Sequence, residues 1–207
     1  YGIVLLWAIA LGAFLKFVLS EGIERWQLAT GQTVIEGWAE HLHASVKIVF
    51  GVYLVLWTIA VSAALTNACG LGLANLTGGA VSQSWGAVLH SLIGFVFVYL
   101  GGYGKFEKLM KILVGVMGFS ILVCAALTMN NPGPALTGLV LPTIPGGSGT
   151  YVLSLIGGIG GSVTMLSYNY WMREEGMRGS GYLSYVRGDV AVAYVFTALF
   201  GISIMLI

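Results

Sequence analysis

Six apolar runs, each close to the length that crosses a bilayer, occupy most of this chain, at about 2–19, 48–74, 85–103, 109–129, 150–171 and 190–207. A helix rises 1.5 Å per residue, so a hydrocarbon core about 30 Å thick needs roughly 20 apolar residues. That core holds no water, and a spanning segment must satisfy its own backbone amides and carbonyls. Runs of this length do so as helices. The sequence therefore predicts an all-α polytopic membrane protein, with residues 1–207 as a single transmembrane domain. Composition agrees, since only 8% of the residues are charged, against about 25% in soluble domains. The lipid bilayer is the first expected partner. A net charge of +1 leaves no basic footprint for nucleic acid. The chain opens on Tyr1 with no basic leader ahead of the first run, and it closes inside another apolar run at Ile207. It reads as a fragment of a longer membrane protein.

Charge placement orders the spans. All eight acidic residues (Glu21, Glu24, Glu36, Glu40, Glu107, Glu174, Glu175 and Asp189) fall in the loops after spans one, three and five. Eight of the nine basic residues lie in or beside the same loops, and Lys16 is near the end of span one. The loops at 77–84 and 130–149 carry no charge. Six alternating spans put every charged loop on one side, and its lysines and arginines mark that side as cytoplasmic. The expected setting is a plasma (inner) membrane. All four prolines fall within 132–145, which predicts an extended, turn-rich loop over 131–147. The stretch 21–43 is expected to form a short amphipathic helix at the surface.

Isolated polar residues are read first in their plainest sense. Lys16 is expected to snorkel to the inner interface. His41 and His43 form an H-x-H pair without a third ligand nearby and are expected in an exposed loop. His90, inside span three, is either hydrated or a functional group. Lys105, Lys108 and Lys111 form a basic stripe suited to anionic lipid headgroups. Cys69 and Cys124 read as small buried hydrophobes. Ser62, Thr66 and Asn67 in span two fit helix–helix packing. No Asp or Glu falls in the core of any of the six runs. Paired carboxylates, H-E-x-x-H and G-x-S-x-G are absent, so an enzyme is not expected.

The fifth run departs from a plain lipid-filling helix. From Gly157 to Tyr170 it reads GGIGGSVTMLSYNY, with Gly157, Gly158, Gly160 and Gly161 followed by Ser162, Thr164, Ser167 and Asn169. Each interior glycine costs about 1 kcal/mol relative to alanine, so the helix is easily interrupted near 157–166. Irregular backbone at membrane depth survives only against protein or a water-filled cavity. One reading is therefore a broken helix lining a substrate site, with Met165 offering a soft thioether to a metal. The other is a small-residue face for close helix packing.

Two stretches carry a resemblance to a known family. LLWAIALGAFLKFVLSEGIERWQLATGQTVIEGW includes Arg25, Thr30 and Gly31 in an R-x-x-x-x-T-G pattern, and GGSVTMLSYNYWMRE aligns with G-A-T-V-M-P-H-N-x-Y through Gly161, Met165 and Tyr170. Both resemble the Nramp family of divalent-metal transporters, and more closely its magnesium- and manganese-associated branch. The resemblance covers the whole chain and corresponds to helices two to seven of that family. It implies part of an inverted-repeat, LeuT-like fold, in which interrupted first and sixth helices meet at a midplane site. It also implies that Ser162, through its carbonyl, and Met165, through its sulfur, contact the metal, with Gly160, Gly161, Ser167 and Asn169 lining the site. The metal is substrate and not a resident cofactor. Leu166 and Ser167 replace the family's proline and histidine, and span two lacks acids. These departures imply transport without tight proton coupling. An organic-cation or amino-acid carrier of the same superfamily, using Tyr168 and Tyr170, is one alternative. A non-transporting scaffold is another, and it would keep the fifth helix continuous.

Overall fold

In a computed structural model the chain is all-α. The structure describes residues 2–207 except Asn130 and Ser162, and at residues 102 and 103 it describes the backbone alone. Contacts divide the chain into two compact units. The first comprises Tyr1–Leu42 with Val116–Ile207, and the second comprises His43–Gly115.

Helix α1, Leu6–Thr30, follows a 3₁₀ turn at Gly2–Leu5. It ends where Gly31 takes φ +74° and its N–H bonds the carbonyl of Gln27. Span one was expected to stop near residue 19, but α1 carries on through Glu21, Glu24 and Arg25. These residues favour helix, and no glycine or proline intervenes between Gly22 and Gly31. Helix α2, Val34–His41, is the expected short helix after span one. It opens on a capping box in which the Glu36 N–H donates to Thr33 Oγ1 (3.2 Å) and the Thr33 N–H donates to Glu36 Oε2 (2.8 Å).

The second unit holds helix α3, Ala44–Leu76, and helix α4, Gln83–Thr128, as far as Gly115. The two pack through small residues, since a Cβ at Gly70 would lie 2.3 Å from the Gln83 carbonyl oxygen. Spans three and four were expected to be separated by a charged turn, but α4 runs through both. Its apolar stretches Gln83–Gly101 and Gly104–Thr128 are each long and apolar enough to cross a membrane. The intervening KFEKLMK is rich in helix formers, and Glu107 pairs with Lys111 one turn on. His90 is exposed in this unit, and His41 and His43 are exposed in the chain between the long helices, where His43 caps α3.

The rest of the first unit is α5, Pro132–Val140, α6, Gly149–Gly158, α7, Thr164–Glu174, and α8, Leu183–Leu206. The loop expected at 131–147 is thus partly helical. Pro132 occupies the first helical position, where the missing N–H costs nothing, and Asn131 caps the end by accepting from the Gly133 N–H at 3.0 Å. The fifth span is broken between α6 and α7, as its glycines predict. Each half is too short to cross alone, and among the described residues five stretches meet the length and hydropathy of a span.

Helix α1 is the axis of this unit. Leu5 and Ala8 pack on Val152 of α6, and Leu28 joins Met172 of α7 with Val186 and Val190 of α8. At Gly12 the helices nearly touch, because an added Cβ would lie 3.0 Å from the Ile156 Cα. We expect Gly12→Ala to destabilise the protein by about 1–3 kcal/mol, because backbone must move to admit the methyl group. Gly22→Ala on the same helix meets nothing within 4 Å and should be neutral or stabilising. Thermal unfolding of the two variants in detergent checks the contrast.

Candidate functional site at the broken helix

The break is built by two glycines. Helix α6 ends as Ile159 turns extended (φ −60°, ψ 121°), and Gly160 and Gly161 then take φ +71° and +58°. Left-handed backbone costs an L-residue about 1–2 kcal/mol. Gly160 is also confined by space, since a Cβ there would sit 2.7 Å from the Tyr194 ring. The chain re-enters helix at Thr164, whose hydroxyl donates to the Gly160 carbonyl at 3.1 Å.

A cavity of about 220 Å³ lies against this break. Gly160, Thr164, Met165, Tyr168 and Trp171 form one wall, and Ser20 and Glu24 of α1 form another. Tyr194 and Thr197 of α8 contribute polar groups to the remainder. Ser20 and Tyr194 share a hydroxyl–hydroxyl bond of 2.8 Å across the cavity. The Tyr168 hydroxyl donates to Asp189 Oδ2 at 2.5 Å. Glu24 is 1% exposed, and its Oε2 has no hydrogen-bond partner.

The structure therefore brings Met165 and Gly160 to the cavity, and Gly161 to the turn beside it. Ser167 is half-buried and does not line the cavity. Asn169 is buried beyond it as a brace, where its carbonyl accepts from Gln27 Nε2 (2.8 Å) and its Oδ1 accepts from the Val34 N–H (3.2 Å). Ser162 lies outside the described residues. Tyr170 is exposed. Among the described residues no group of three His, Cys, Asp or Glu side chains is placed to hold a metal. A cation here would meet mixed donors.

Sequence reasoning missed Glu24 because it was assigned to a loop. The signal was a stripe: Lys16, Ser20, Glu24 and Gln27 recur every three or four residues, which is one face of a helix. All four are buried, at 7%, 4%, 1% and 4% exposure, while Phe14, Leu15, Val18 and Leu19 are exposed. Lys16 is accordingly inside the protein and does not snorkel.

Beyond the cavity, ion pairs tie the helices together. Arg187 donates to Glu21 Oε1 from Nε and Nη2 at 3.2 and 2.6 Å. Arg173 of α7 forks onto Glu36 of α2 at 3.1 and 2.6 Å. Hydrogen bonding from Arg173, then from the Thr33 N–H, holds the Glu36 carboxyl down to about 2.

A family profile described as natural resistance-associated macrophage protein-like matches residues 1–207. The chain belongs to the Nramp family. Among relatives, a protein named divalent metal cation transporter MntH from Chromohalobacter salexigens is 28% identical over 169 residues. That alignment covers 80% of this chain and 38% of the relative, so this chain spans well under half of it. No solved structure matches. In the structure the R-x-x-x-x-T-G pattern falls on the last turns and cap of α1.

Two outcomes are expected. Gly160→Ala should lower thermal stability by more than the roughly 1–2 kcal/mol of left-handed backbone, because the Tyr194 ring must also move. Gly157→Ala, with nothing within 4 Å, should not, and melting curves of the two variants separate the cases. Glu36→Gln keeps a capping-box side chain but loses the charge. A carboxyl held low contributes stability above its ordinary range that is lost as pH falls toward 2. The difference in melting temperature between wild type and Glu36→Gln should therefore be full above about pH 5 and vanish on acidification, and a pH series of melts reads it.

Proposed function

We propose that this chain is part of a secondary transporter that moves divalent metal cations, manganese- and magnesium-like, by alternating access. The observation that carries the reading is the break between α6 and α7, which opens on a cavity lined by Met165. Family membership and the MntH relative's name support divalent metal as the substrate class. No catalytic step is proposed. The charged loops are assigned to the cytoplasmic side of a plasma (inner) membrane, on the lysine and arginine asymmetry. Ser162 and Met165 are proposed as the metal contacts on the broken helix. Ser167 at the family's histidine position and the absence of acids from α3 support transport without tight proton coupling.

Tyr168, Trp171 and Tyr194 give the cavity an aromatic side, which is the feature an organic-cation carrier would use. Family membership and the name of the MntH relative favour the metal over that alternative. The scaffold alternative expects an unbroken fifth helix.

The test is uptake by the full-length protein in proteoliposomes. Met165→Ala should weaken cadmium and manganese uptake by about tenfold or more, roughly 1.4 kcal/mol, with a smaller effect on magnesium, because a thioether favours softer ions. Unchanged cadmium and manganese affinity would remove Met165 from the site. Internal acidification matching the metal flux would overturn the uncoupled mechanism.

A further inference from the structure

We infer that Glu24 is a cation-coordinating residue, centred in a hard-oxygen station for magnesium- or manganese-like ions on the α1 wall of the cavity. The inference rests on the transport reading above and adds to it a ligand outside the broken helix. Glu24 is 1% exposed, yet one carboxylate oxygen has no hydrogen-bond partner and no ion pair reaches it among the described residues. The nearby guanidinium groups of Arg25 and Arg187 are engaged by Glu21. Removing a carboxylate from water without a partner costs several kcal/mol, a cost that either a proton or an arriving cation relieves.

The surrounding donors are the right kind. Ser20 and Tyr194 share one hydrogen bond, which leaves spare lone pairs on both oxygens. Thr164 spends its proton on the Gly160 carbonyl and keeps its own lone pairs. All three line the cavity with Glu24. One carboxylate, hydroxyls and retained water form the oxygen shell that hard divalent ions take. Asp189 accepts a hydrogen bond from Tyr168, which lines the cavity. Lys16 is eight residues away on the same face of α1, about 12 Å along the axis. Met165 lines the same cavity from the broken-helix wall, beside Thr164, while Glu24 and Ser20 stand on the α1 wall. One cavity thus offers a soft donor and a carboxylate from different helices.

The experiment uses full-length transporter in proteoliposomes, with magnesium, manganese and cadmium as probes and wild type, Glu24→Gln, Glu24→Asp and Met165→Ala compared. Glu24→Gln should raise the KM for magnesium and manganese about tenfold or more, while cadmium stays within about twofold. Glu24→Asp should recover part of the loss, and Met165→Ala should weaken cadmium and manganese uptake while magnesium changes least. Wild-type magnesium and manganese affinities in Glu24→Gln overturn the inference and leave the transport reading standing. Equal losses for all three ions also overturn it, since that pattern marks a structural role. A wild-type protein that carries no divalent metal overturns the transport reading, and the inference with it. Should Glu24→Gln not yield monodisperse protein, Thr164→Val deletes one oxygen and leaves the carboxylate in place. A loss confined to magnesium and manganese in that variant supports the station, and unchanged affinities there together with unchanged affinities in Glu24→Asp refute it.

Discussion

The first unit depends on the reversed polarity of α1. In water a helix hides its apolar face, whereas here Lys16, Ser20, Glu24 and Gln27 point into the protein and Phe14, Val18 and Leu19 point out. Lipid makes this possible, because an apolar surface gains nothing by leaving hydrocarbon, and an unsatisfied polar group there is costly. Two members of the polar stripe find partners inside, Gln27 at the Asn169 carbonyl of α7 and Ser20 at the Tyr194 hydroxyl of α8. Packing alone would let these helices slide. The hydrogen bonds fix their register.

Within that frame the broken helix is held open by local backbone and not by its neighbours alone. Two consecutive positive-φ glycines change the direction of the chain between α6 and α7, and the Tyr194 ring occupies the space a side chain on Gly160 would need. The same tyrosine bonds Ser20. One residue therefore joins the turn, the stripe on α1 and helix α8. The cavity sits where those three meet.

The parts of this arrangement that were legible in the sequence left a compositional trace. Four glycines ahead of polar residues announced the break, because only glycine takes that backbone cheaply, and apolar length announced the spans. Glu24 was hidden by its company. Beside Glu21 and Arg25 it read as loop, and nothing local says that a helix continues past the end of its apolar run while one face turns inward. The prolines of α5 misled for a related reason: proline forbids helix interiors but suits helix starts. The α4 turn failed because charge was taken as a break where the residues themselves favour helix.

The two halves of the broken helix are each pinned far from the break. Val152 is seated against Leu5 and Ala8 on α6, and Met172 is seated against Leu28, Val186 and Val190 on α7. Closer in, Ile156 is held against Gly12 and Asn169 is bonded to Gln27 and Val34. Met165 lies four residues from Asn169, about 6 Å along the helix, so a tilt of about 10° there carries it roughly 1 Å. Metal–ligand bonds tolerate only about 0.2 Å. The position of the Met165 side chain is thus set by angular stiffness at Asn169 and Met172, residues that do not line the cavity.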